Sequence, residues 1–350
     1  MNENLDLNTE TFGEQKNSRI KSFVYRVPYG FNEKSYNESR EIKKISRLSG
    51  ASFLCLLIFS SLLKYILPLL FAVAGISLEK TVEILSDAYV LQFIQILASF
   101  SMFIVPFALF FKIGGYKISK IIDFSLPKTK NWFAFILMGI SFCAFTNIAV
   151  SIAGSIFESF GVNYDVDFGE NPTGIFGVIL TVLSTAVIPP LVEEFACRGV
   201  LLGSLRKFGD GFAIMVSAIM FGLMHGNFQQ APFAFLVGLI LGFVTVKCGS
   251  IWPAILIHAY NNLSSVIFQY IFADMSVNLQ NIIYTFYLTI CLLLGVAGLI
   301  FLKNEKCAFK LSPSNTESGE KQKYKWFFLT EITIFVILIC IYDALKYFKF

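Results

Sequence analysis

Val192-Glu193-Glu194-Phe195-Ala196-Cys197-Arg198-Gly199-Val200-Leu201-Leu202 sits in a run apolar enough to lie in a bilayer, yet it carries two carboxylates and a guanidinium. Each such charge costs on the order of a few kcal/mol at the centre of a membrane helix unless it is paired or put to use. An ion pair bracing two helices would account for Glu194 and Arg198 alone. The chain's two histidines, His225 and His258, also fall in apolar runs. Two imidazoles, two carboxylates and an arginine are therefore expected together at membrane depth.

Composition fixes the class. A mean hydropathy of +0.67, with 55% hydrophobic and 15% charged residues, excludes a soluble globular domain and predicts an all-α, polytopic membrane helix bundle. The net charge of +4 is mild and gives no reason to expect a nucleic-acid partner; the lipid bilayer is the partner that composition implies. Seven cysteines are scattered through mostly apolar runs without CxxC or metal-type spacing, and read as small core residues.

Outward from the charged stretch, the chain divides into a polar, cytoplasmic N-terminal segment (1–49), flanking transmembrane helices (50–157), a core (174–272) and C-terminal helices with a basic linker (280–350). At about 20 apolar residues per crossing, the hydropathy predicts about eight to nine spans around a polar cavity. They are read over 51–76, 88–111, 132–157, 174–202, 212–224, 232–246, 251–272, 281–302 and 326–348. Lys and Arg gather in alternate loops: Lys112 to Lys130, Arg206 and Lys207, Lys247, then Lys303, Lys306, Lys310, Lys321, Lys323 and Lys325. Trp132, Trp252 and Trp326 each open a span on that same side. Both patterns place the N-terminus in the cytoplasm of a multi-pass cell-membrane protein.

Spacing then sharpens the site. Glu194 and Arg198 are one turn apart on one helical face, whereas Glu193 is rotated by about 100°. Phe221 and His225 share a face in the same way, as do His258 and Asn262. Pro189 and Pro190 should kink the helix just before the glutamates and free carbonyls that need partners. With the topology above, the acids and both histidines fall roughly 10–20 Å below the cytoplasmic surface.

Glu193-Glu194-x-x-x-Arg198, Phe221-x-x-x-His225 and His258-x-x-x-Asn262, in that order on separate spans, resemble the three motifs of the CAAX protease and bacteriocin-processing family of intramembrane proteases, which includes the CAAX prenyl endopeptidases of the Ras-converting type. The likeness covers about 174–272. It implies a bundle around a conical cavity and an endopeptidase that hydrolyses a peptide or membrane-protein substrate with an activated water. In the preferred reading, Glu193 and His225 hold and deprotonate that water. His258 and Asn262 then donate to the oxyanion, while Arg198 fixes Glu194, and no cofactor is required. The alternative places zinc on Glu193, His225 and His258 with Glu194 as base. A different class of function, a non-proteolytic bacteriocin-immunity or regulatory factor, leaves the polar cluster to brace the bundle. Transport is disfavoured, because the two halves show no inverted repeat. The sequence fixes neither substrate identity nor oligomeric state.

Overall fold

Nine apolar segments become helices, because a chain in lipid has to satisfy its backbone internally. The computed structural model describes residues 32–160, 163–164, 171–305, 307–346 and 348–349, so most of the polar segment 1–49, and Lys306, lie outside the described residues. Lys34–Phe350 form one compact unit. Within it run α1 (Glu33–Val73), α2 (Leu78–Ser86), α3 (Ala88–Gly114), the single turn α4 (Ile118–Ile121) and α5 (Trp132–Ser159). The interrupted helix α6 (Gly174–Phe208) follows. Then come α7 (Asp210–Met224), α8 (Ala231–Cys248), α9 (Trp252–Phe272), α10 (Val277–Leu302), α11 (Glu320–Phe328) and α12 (Glu331–Leu345). Two-residue strands, β1 (Asn163–Tyr164) and β2 (Phe348–Lys349), pair antiparallel.

The multi-pass helical class holds, with fewer full crossings than hydropathy implied. Among the described residues, six helices are long and apolar enough to span, or seven if α11 and α12 count as one span bent by 75°. The physical reasons differ. Helix α7 has only 15 residues, about 22 Å of rise. Helix α9 is long enough, but His258, Asn261, Asn262, Ser264 and Gln269 dilute its apolarity. The segment read from Trp326 breaks at Leu329–Thr330, where Ser46 of α1 donates to the Phe327 carbonyl at 2.6 Å and meets the hydroxyls of Thr330 and Thr333 at 2.6 and 2.8 Å. Lys323, expected among the loop cations, is instead fully buried in α11.

The basic loops meet at one end of the bundle. There Lys44 of α1 donates to the Gly114 carbonyl of α3 at 2.8 Å, and Lys207 of α6 reaches Glu41 at 3.0 Å. Lys247 caps the carbonyls of Cys307 and Lys310 at 2.6 and 2.9 Å, the Trp252 indole donates to Phe124 O at 2.9 Å, and Arg47 pairs with Glu331 at 2.9 Å. Snorkelling side chains that cap loop carbonyls suit the polar edge of a membrane protein.

Packing is uneven along the bundle axis. In every long helix flanking the core, the buried residues lie in the half nearest the basic loops: none after Leu57 in α1, before Phe103 in α3, after Thr146 in α5 or before Cys291 in α10. Burial in these flanking helices is concentrated at the basic end.

Candidate active site within the membrane

Helix α6 carries the acids, and its irregularity is what positions them. It is α-helical over Gly174–Thr181, π-helical over Val182–Val187, α-helical again over Ile188–Glu194, and π-helical over Phe195–Leu202. Glu193 and Glu194 therefore close a short regular segment between two widened turns. Single π turns of this kind recur at functional sites. Pro189 lacks the N–H that would serve the carbonyls of Thr185 or Ser184. Both find side-chain donors: Asn262 Nδ2 lies 3.0 Å from Thr185 O, and Gln95 Nε2 3.4 Å from Ser184 O. Gln92 of α3 also bonds the Ser184 hydroxyl. Thus α3 and α9 hold the break open from two sides.

One turn below, Glu194 is completely buried. Its Oε1 accepts from Arg198 Nη1 at 2.8 Å and from His258 Nδ1 at 2.9 Å. The second guanidinium nitrogen of Arg198 donates to the Gly238 carbonyl of α8 at 3.2 Å, and its carbon lies 4.2 Å from the centroid of the Phe221 ring. A charge held by carboxylate, carbonyl and aromatic face is the arrangement that makes a buried guanidinium tolerable. Glu193 differs. Its side chain keeps 15% of its surface and points Oε2 to within 3.9 Å of His258 Nε2.

His225 caps α7. Its Nδ1 donates to the Phe221 carbonyl at 2.7 Å, which leaves Nε2 with the lone pair when the ring is neutral. The Phe221 ring stands edge-on to both imidazoles, at 5.0 Å from His225 and 5.6 Å from His258. Asn227 supports this turn by donating to the His225 carbonyl at 2.9 Å. Gly226, with φ of 61°, makes a left-handed turn that a glycine adopts without strain.

The structure thus brings Glu193, Glu194, Arg198 and His258 into one cluster and ties His225 to it through Phe221. Asn262 lies one turn from His258, with one amide N–H engaged on α6. Sequence reading passed over Gly238, Gln92, Gln95 and Thr185. Two glutamines in an otherwise apolar span were a readable signal, whereas a glycine carbonyl was not. Among the described residues, no three His, Cys, Asp or Glu side chains are placed to hold a metal ion.

A multi-pass helix bundle with a buried acid–guanidinium–imidazole cluster at the break of one helix defines the class. Comparison with known proteins then narrows it. Residues 175–264 match the family model described as type II CAAX prenyl endopeptidase Rce1-like. The chain is 29% identical over 124 residues to the putative membrane peptidase YdiL of Bacillus subtilis, covering 34% of this chain and 50% of that protein. It is 33% identical over 91 residues to the membrane-embedded CAAX protease MroQ of Staphylococcus aureus, covering 24% and 37%. The matched stretches thus span half or less of these relatives. No solved structure matches the chain. Residues 175–264, on the helices that carry the site, are thus similar to the Rce1-like CAAX prenyl endopeptidases, the resemblance the motifs indicated.

Proposed function

We propose that this protein is an intramembrane endopeptidase that hydrolyses a peptide bond of a membrane-associated substrate with a water activated at Glu193. One observation carries the reading: of two adjacent glutamates, one is consumed by Arg198 and His258, and the other is left partly open beside a histidine nitrogen.

The roles follow from that asymmetry. Glu194, held between a guanidinium and an imidazole N–H, acts as an ionised anchor that sets the ring plane of His258. Among the described residues, Glu193 has no such partner within salt-bridge range except His258 Nε2, so it is the carboxylate available to take a proton from water and to return it to the leaving amide nitrogen as the C–N bond breaks. His225, with Nδ1 committed to the Phe221 carbonyl, offers Nε2 as a second acceptor for that water. The remaining Asn262 N–H donates to the oxygen that develops charge, and His258 Nε2, facing the same space, joins it when the ring carries a proton on both nitrogens. Among the described residues, Glu194 Oε2 and Arg198 Nε are buried without a hydrogen-bond partner.

The test is a comparison of peptide ends in membranes containing the active protein, Glu193→Gln or His225→Ala. Each variant is expected to insert and melt like the parent, yet to lose cleavage by at least ~100-fold, the usual scale of a general base. Turnover within a few-fold of the parent in either would end the assignment, and protection of cells by a Glu193→Gln protein would favour the immunity role. Purified enzyme treated with a strong chelator is expected to retain its rate at metal-free stoichiometry. A rate lost to the chelator and restored by zinc would replace the glutamate mechanism with the metal one.

A further inference from the structure

Several cations at the basic end are consumed by the protein itself. Lys44 and Lys247 cap loop carbonyls, Lys207 reaches Glu41, Arg47 pairs with Glu331, and Lys34 pairs with Glu317. The connection from α3 to α5 is different. Residues 112–130 carry Lys112, Lys117, Lys120, Lys128 and Lys130 against a single acid, Asp123, and each of these lysines is exposed. Among the described residues, only Lys128 of this set has a carboxylate within salt-bridge range, that of Asp123. Lys112, Lys117, Lys120 and Lys130 are left without a counter-charge from the protein.

Apolar side chains alternate with these cations and are equally uncovered. Ile113 and Leu126 are 70% and 81% exposed, and Ile118 and Phe124 are exposed as well. Helix α3 ends at Gly114 and α5 starts at Trp132, so the connection lies where two spans leave the hydrocarbon. A loop in water gains nothing by holding isoleucine and leucine out beside bare lysines. At the bilayer interface the same pattern is favourable, because the apolar side chains enter the acyl boundary while the ammonium groups rise to the level of the phosphates.

The surface is also preformed. Helix α4 and Ile122 lie against α6, where a Cβ at Gly203 would come 2.4 Å from Ile121 O and one at Gly199 3.1 Å from Ile122 Cδ1. Beyond α4, Trp252 Nε1 donates to Phe124 O at 2.9 Å, Ser250 Oγ to Ser125 O at 2.7 Å, and Lys128 N to Cys248 O at 2.9 Å. Held by α6 on one side and by the turn between α8 and α9 on the other, the backbone needs no ordering when a ligand arrives. The same contacts join it to both helices that carry Glu193, Glu194 and His258.

We infer that residues 112–130 form a docking surface for the anionic phospholipid headgroups of the leaflet at the basic end, with Lys112, Lys117, Lys120 and Lys130 as the cations that meet the phosphates. The inference is independent of the peptidase reading.

Tryptophan quenching tests it in the full chain. Trp132→Phe with Trp326→Phe leaves Trp252 as the single tryptophan, exposed and bonded to the loop at Phe124 O. This protein is reconstituted into phosphatidylcholine vesicles that contain the same fraction of chain-brominated phosphatidylglycerol in one set and chain-brominated phosphatidylcholine in the other. Phosphatidylglycerol is expected to quench as a lipid bound at least about three times more tightly, and raised salt to shrink that preference. Lys112→Gln, Lys117→Gln, Lys120→Gln and Lys130→Gln together should bring the ratio to about one, whereas arginine at the same positions should keep it. Equal quenching by the two lipids, a preference that salt leaves unchanged, or one that survives the combined Gln substitutions overturns the inference. The lipid and salt comparisons use the native loop, so they decide the matter even where the Gln variant fails to fold.

Discussion

Arg198→Met probes the cluster most directly. The parent guanidinium is 1% exposed, gives hydrogen bonds of 2.8 Å to Glu194 and 3.2 Å to Gly238 O, and lies 4.2 Å from the Phe221 centroid. Methionine fills a similar volume but leaves Glu194 with one donor, His258 Nδ1, while Oε2 already has none. Removing one partner of a buried pair costs about 3–5 kcal/mol, most of it the stranded charge. At roughly 2–4 °C per kcal/mol, melting should fall by on the order of 6–20 °C. Replacing both partners removes the stranded charge, so Glu194→Gln combined with Arg198→Met should recover part of that loss, with a coupling of about 1–3 kcal/mol. The assay is thermal unfolding of purified protein in detergent, followed by tryptophan fluorescence, for the parent, both single variants and the double. Arg198→Met melting within ~2 °C of the parent, or a double variant falling by the full total of the singles, would refute the account of Glu194 as a clamped anion.

Two further outcomes test how neighbouring elements serve the site. A Cβ at Gly238 would sit 3.0 Å from Ala218 Cα and 3.3 Å from Arg198 Nη2, so Gly238→Ala should cost about 1–3 kcal/mol and reduce cleavage as well. Gly242→Ala crowds Leu202 and Ile214 at 3.2 and 3.3 Å without touching Arg198, and should lower stability while sparing the rate; equal rates for the two variants would refute the link. At the basic end, buried Lys323 donates to Phe208 O at 2.6 Å and to Thr316 at 3.3 Å, and also pairs with Glu320. Lys323→Met strands the terminal carbonyl of α6, at about 1–3 kcal/mol, and should speed limited proteolysis of the linker around 307–319; unchanged cleavage of that linker would show that the clasp carries nothing.

The sequence by itself determined the class and where the apolar helices lie, and it named Glu193, Glu194, Arg198 and His258, which the fold brings together. Apolar runs force helix formation in lipid, and charges such as Glu194 and Arg198 are too costly there to be incidental, so hydropathy and i,i+4 spacing were sufficient. The Pro189-Pro190 kink with its orphaned carbonyls was legible for the same local reason. What only the tertiary structure decided is which helix serves which. The donors to Thr185 and Ser184 come from α9 and α3, and the carbonyl that holds Arg198 comes from Gly238 of α8, none of which is marked by sequence spacing. The division of labour between the glutamates also belongs to the fold. Glu193 and Glu194 are neighbours of identical chemistry, and only the packing of α9 against α6 gives His258 Nδ1 to one and leaves the other open. The count of crossings fell for a related reason: hydropathy averages over a window, whereas the short α7, the polar stripe of α9 and the Ser46-capped bend before α12 depend on the helices they pack against.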